Sequence, residues 1–182
     1  MIISGILLSA LVLLAGPAPA QPAPAPPAAT PPAAEPQDLT KHPACPHCGM
    51  DREKFAHSRM LLTYSDGSES GTCSLHCAAL ELAVRLDKTP TSLQVADDNT
   101  KKLIAAEKAA WVIGGAKPGV MTRVAKWAFE KEADALAFIK ENQGKLATFD
   151  DAMRATFEDM YEDVKMIRAR RAKMGGMPPK KE

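Results

Sequence analysis

The chain has 182 residues with 23 Lys and Arg against 22 Asp and Glu, so its net charge is +1. The basic residues are dispersed except for a cluster at Arg168–Lys173, which excludes the basic stripe with interleaved aromatics of a nucleic-acid binder. The length allows one ordinary domain or two small ones after the leading segments.

Residues 1–20 read as a secretory signal peptide. The apolar run in "IISGILLSALVLLAG" is too short to span a bilayer comfortably, and Ala18-Pro19-Ala20 is a small-residue cleavage pattern. No Lys or Arg precedes the run, so an uncleaved anchor is the alternative. No cysteine lies near the cleavage point to carry a lipid. Residues 21–41 read as a Pro/Ala-rich tether, since such a sequence favours extended polyproline II and builds no core. The expected destination is the periplasm or cell exterior, with no stable membrane span after cleavage. The folded domain is expected over residues 42–152, followed by a C-terminal helix and tail over 153–182.

Within the folded part, "CPHCGM" reads as a tight knuckle and "RMLLTYSDGSESGT" as a hairpin turning at Asp66-Gly67. "SLHCAALELAVRL" repeats Leu75, Ala79, Leu82 and Leu86 at helical spacing, with Ser74 as N-cap. "TSLQVAD" and "AWVIGG" are strand candidates, and "TKKLIAAEKA" between them suits a short helix or turn. "TRVAKWAF" alternates as a half-buried strand, and "EKEADALAFIKENQGK" is a helix stopping near Gly144. After a short strand in "LATF", Asp150 is the expected cap of a final helix. Its Met153, Phe157, Met160, Val164 and Ile167 form an apolar stripe, read as core packing. The architecture is therefore expected to be α+β: two small related strand-helix units with a C-terminal amphipathic helix.

All four cysteines and all four histidines fall between His42 and Cys77. Three chemistries compete for this concentration. An exported protein permits two structural disulfides, although Cys73 and Cys77 at a helix start are poorly placed to bond to each other. Thiol-disulfide exchange through Cys45-Pro46-His47-Cys48 is a second option, but such motifs follow a packed strand and open an apolar helix, and this one does neither. The third is a metal site. The Cys45/Cys48 knuckle, with Gly49 easing the turn, points two thiolates at one ion, and Cys73 and Cys77 can complete four sulfur ligands. Soft thiolate and thioether ligands select Cu(I) or Zn(II), and Met50 beside the knuckle tips the choice towards Cu(I). His76 is a further candidate ligand, the alternative being that it faces solvent. His57 and Met60 are weaker candidates, and His42 and His47 are read as exposed. With no Ser/His/Asp arrangement, phosphate loop or paired carboxylates, no enzymatic activity is expected.

The motifs "CPHCGM", "HSRMLLTYSDGS", "GTCSLHC", "AWVIGG", "GVMT", "KWAFEKEADALAFIKENQGK" and "TFDDA" occur in the order seen in the NosL family, which the chain resembles from about Pro43 to Ala152. The best-known members are exported copper-binding accessory proteins of nitrous-oxide reductase. The resemblance implies two related α+β units and Cu(I) bound by soft ligands, with Cys45, Cys48 and Met121 the best-matched positions. It also implies a role as copper chaperone or metal-insertion factor, with an acceptor metalloenzyme or membrane assembly complex as partner. Typical members carry a lipid-modified cysteine where this chain has its tether. The "CSLHC" segment, taken with "CGM", also resembles the small YHS/TRASH metal-binding modules. From that side comes the alternative of a zinc-stabilised four-cysteine interaction module; a thiol-disulfide oxidoreductase is the third possibility.

Overall fold

The structure, a computed structural model, describes residues 36–173 and 175; the expected signal peptide, most of the tether and the end of the tail lie outside the described residues. The fold begins with a short helix, α1 (Gln37–Lys41), inside the segment read as tether. The reason is Asp38, whose buried carboxylate is held by two arginines, which draws this stretch of chain into the fold.

Strands β1 (Met60–Tyr64) and β2 (Glu69–Thr72) form the expected hairpin. Gly67 takes φ +78° at its turn, and the Asp66 side chain accepts the Ser68 amide at 2.9 Å. Helix α2 (Leu75–Val84) follows. Ser74 stands at its N-cap position in an extended conformation, but its side chain makes no cap hydrogen bond. Strands β3 (Pro90–Ala96) and β4 (Leu103–Ala105) complete an antiparallel sheet of order β2-β1-β3-β4. "TKKLIAAEKA", read as a helix or turn, supplies β4 and then one 3₁₀ turn, Ala106–Lys108.

The second sheet has the order β6-β5-β7, with β5 (Ala110–Ile113), β6 (Lys126–Phe129) and β7 (Lys145–Ala147) antiparallel. Helix α3 (Glu132–Asn142) lies between β6 and β7 in sequence and ends as expected, with Gln143 and Gly144 both at positive φ. The clean alternation expected in β6 is absent: Trp127, Ala128 and Phe129 are all buried. Ala128 packs into a core shared with the first sheet, including Met60, Leu62 and Trp111, while Trp127 and Phe129 pack with Phe138 of α3. A strand buried on both faces loses its polar alternation.

The last helix, α4 (Phe149–Lys173), is capped by Thr148 and not by Asp150. The Thr148 hydroxyl accepts the Asp151 amide at 3.2 Å and the Asp151 carboxylate accepts the Thr148 amide at 3.1 Å, a reciprocal capping box. The helix buries Ala152, Thr156 and Asp163, while Phe157 of the expected apolar stripe is 47% exposed. The described residues thus form two strand-helix halves joined by one apolar core, with a long C-terminal helix across them. None of their helices is long and apolar enough to cross a membrane.

Candidate metal centre

The knuckle is built by backbone geometry. Cys45 donates its amide to the Met50 carbonyl at 2.9 Å, and Gly49 donates to the Cys45 carbonyl at 2.8 Å. Gly49 closes the turn at φ +74°, where a side chain would be strained. Ala44 and Asp51 pair as an isolated bridge at its base. Cys45 and Cys48 therefore face the same way, as the sequence suggests. Cys73 follows the end of β2 and Cys77 lies one turn into α2, so both meet the knuckle from the first sheet.

Besides the buried cysteines themselves, two buried arginines tie the knuckle to that sheet. Arg52, fully buried, donates to the carbonyls of Thr72, Asp38, His42 and Met60 at 3.1, 2.9, 2.6 and 3.0 Å, and to the Asp38 carboxylate at 2.9 Å. Arg59 reaches both Asp38 oxygens at 2.8 and 3.1 Å, and the carbonyls of Ala56 and Lys101. Gly71 leaves room for this, since a Cβ there would stand 2.7 Å from the Arg52 Cζ. Burial alone would raise the Asp38 carboxyl, but the hydrogen bonds and charges of Arg59 and Arg52 hold it below the ordinary value.

The four sulfurs converge. Their atoms all lie within 4.8 Å of one another, with Cys48–Cys73 at 3.4 Å and Cys73–Cys77 at 3.7 Å. None is in a disulfide. Cys45, Cys73 and Cys77 are fully buried, and Cys48 is 5% exposed. A tetrahedral ion about 2.3 Å from each sulfur needs sulfur–sulfur edges of about 3.8 Å, so the group fits a single soft ion with small adjustments. The electrostatics agree. Hydrogen bonds from the thiols of Cys48, Cys73 and Cys77 push the Cys45 thiol far down, while Cys73 and Cys77 are pushed up, chiefly by their bonds to Cys45. Cys48 is raised by its bond to Cys45 but lowered on balance by those to Cys73 and Cys77. The knuckle pair therefore sheds protons more readily, while Cys73 and Cys77 resist, because each further negative charge is buried beside the first. A cation among the sulfurs removes that resistance.

Met50, Val120 and Met121 pack against the sulfurs. Met121 has φ +60°, a conformation that non-glycine residues seldom adopt. Its loop is held from outside by the Asp163 carboxylate of α4, which accepts the Arg123 amide at 2.8 Å, and from within by the Thr122 hydroxyl, which accepts the Val124 amide at 3.2 Å. Gly119 permits the fold-back, since a Cβ there would meet Thr122 Cγ2 at 2.6 Å.

His76 stands apart from the four-sulfur group. It is 2% exposed, with Nδ1 3.4 Å from Asp163 Oδ2, so it is neither solvent-facing nor converged with the cysteines. Burial lowers its pKa, and neither ring nitrogen has a well-formed hydrogen bond. Met60 is fully buried in the main core, and His57 stacks on Trp127 with ring centroids 5.7 Å apart. His47 is not free in solvent either: its Nε2 lies 2.6 Å from the Glu81 carboxylate.

A groove of about 700 Å³ opens beside Cys48, between the knuckle, the Met121 loop and α4. Arg171 spans its edge by donating to the Cys48 carbonyl at 2.9 Å. Sequence reasoning missed Asp38, Arg52, Arg59, Asp163 and Met166: Arg59 lies within "HSRMLLTYSDGS" but reads there as a surface cation, and the others belong to no quoted motif or apolar repeat.

Two small antiparallel sheets with flanking helices, carrying four buried cysteines on a knuckle and a helix start, define an α+β protein with a candidate soft-metal centre. The NosL family model matches residues 36–157, more than half of the chain, and the chain belongs to that family. Among solved structures it is similar to the copper chaperone NosL from Shewanella denitrificans, at 23% sequence identity and TM-score 0.49, over 59% of this chain and 87% of that one. No curated protein matches the chain.

Proposed function

We propose that the protein carries Cu(I) outside the cytoplasm, as a chaperone or insertion factor that hands the ion to an extracytoplasmic metalloenzyme. By family resemblance the acceptor is of the nitrous-oxide reductase type. The observation that carries this reading is the convergence of four unpaired thiols with two thioethers, Met50 and Met121, packed on them. Thiolate and thioether sulfur together favour a soft monovalent ion. Cys45, Cys48, Cys73 and Cys77 are the proposed ligands, with Met50 and Met121 available when the ion moves. Cys48 is the exchange position, since it alone of the four has measurable exposure and lines the groove. His76 is assigned no bond to the metal; it is buried beside Asp163.

A second reading has its own support. Four nearly sealed cysteines at close to tetrahedral spacing also suit a structural Zn(II), with function carried by the surface. Competition separates the two. The reduced protein is offered Cu(I) and Zn(II) together, with a Cu(I) chelator present, and folding is followed as metal is stripped. The carrier retains Cu(I), loses it on Cys48→Ser, and stays folded when empty, because its two apolar cores include none of the cysteines. Retention of Zn(II) with collapse on chelation would replace the carrier reading with the structural one.

A further inference from the structure

A deeply buried four-cysteine centre poses a kinetic problem for a carrier. An ion surrounded by sulfur leaves only through an incoming ligand. Among the described residues, the larger of two cavities that reach Cys48 is the groove of about 700 Å³, the other, of about 160 Å³, lying at Cys77 and His76. The composition of that groove is selective. Its walls include the thioethers of Met50, Met121 and Met166, the His57 ring that stacks on Trp127, three cationic side chains at Lys117, Arg170 and Arg171, and no carboxylate. A hard divalent cation finds no carboxylate there, and its double charge is repelled by the rim more strongly than a monovalent ion's. A neutral thioether needs no counter-charge and binds Cu(I) as a soft donor.

Met166 comes from a part of the chain with no counterpart in the family match. That match ends at residue 157, whereas α4 continues to Lys173. This extension is anchored at both ends of its contact: Asp163 is fully buried and holds the Arg123 amide, and Arg171 holds the knuckle at Cys48. Met166 and Ile167 lie between those anchors and are half-buried facing the groove. Met50 and Met121, packed against the cysteines, form the inner end of the same groove.

We propose that Met166 joins Met50 and Met121 in a thioether site for Cu(I) along this groove, distinct from the four-cysteine centre and serving as its port. The proposal rests on the reading of the protein as a Cu(I) carrier, but its test is separable from that reading. The full chain is labelled at its methionine methyl groups with carbon-13 and the cysteine centre is filled first, in one sample with Cu(I) and in another with Zn(II). A second equivalent of Cu(I) is then added. In both samples the methyl signals of Met50, Met121 and Met166 are expected to shift, while those of Met60 and Met153 stay put. Met166→Leu, which nearly conserves volume, is expected to weaken the second equivalent at least about tenfold and to leave the first unchanged. A Met166 methyl that does not move would overturn the proposal, as would an unchanged second equivalent in Met166→Leu or an equal response to Zn(II). If the centre proves to prefer zinc, the carrier reading falls alone and the groove result stands.

Discussion

Replacing Arg52 by Met tests whether a buried ionic network, and not apolar packing, fixes the cysteine knuckle to the sheet. Arg52 is fully buried and makes five hydrogen bonds, to four carbonyls and to Asp38. Met fills similar volume but supplies no donor. Removing one partner of a buried ion pair costs about 3–5 kcal/mol; because Arg59 continues to hold Asp38, the lower end applies, about 3 kcal/mol. With a urea dependence of about 1.5–2 kcal/mol per molar, the unfolding midpoint of the metal-free, reduced protein should fall by nearly 2 M. The pH dependence adds a signature. The Asp38 carboxyl is depressed in the fold, so its contribution is present above its unfolded value, about 3.9, and is lost as pH falls through the folded value. Below about pH 4 the wild type should therefore lose stability more steeply than Arg52→Met, whose Asp38 has lost one of its two cations. A midpoint shift under about 0.5 M, equivalent to less than 1 kcal/mol, would refute the argument and return the attachment of the knuckle to apolar contacts.

Two further outcomes follow from the same geometry. Asp163→Leu removes the acceptor of the Arg123 amide and the acidic neighbour of His76, and should cost about 1–3 kcal/mol in thermal or urea unfolding. It should also weaken Cu(I) retention through the displaced Met121 loop, and unchanged retention would detach that loop from the site. Thr148→Ala should lower stability by about 1 kcal/mol, whereas Asp150→Asn should have little effect. The reverse order in a pair of melting curves would move the helix cap back to Asp150.

Much of the local structure is legible in the residues alone. The Asp66-Gly67 hairpin, the turn at Gly49 and the stop at Gly144 depend on backbone conformations that one or two residues dictate. The helices α2 and α3 and the α+β class follow from short-range periodicity in the same way. The cysteine and histidine concentration marks the region of the site, and the motif order points to the NosL family.

Convergence is a different matter, because it depends on contacts between residues far apart in the chain. Spacing brings Cys45 next to Cys48, but only the packing of the knuckle on the hairpin sets Cys48 3.4 Å from Cys73. The residues that enforce this packing, Arg52 and Arg59, look like ordinary surface cations in sequence. They are buried because Asp38, at the edge of a proline-rich stretch, supplies the compensating charge. His76 sits beside a cysteine in sequence yet turns to Asp163, since a helix sends adjacent side chains in different directions. Met166 occupies an unremarkable position on α4 until the fold lays that helix along the groove at Cys48. Backbone preference and periodicity are written locally; which charges are buried together, and which sulfurs share a space, is decided only when the elements pack.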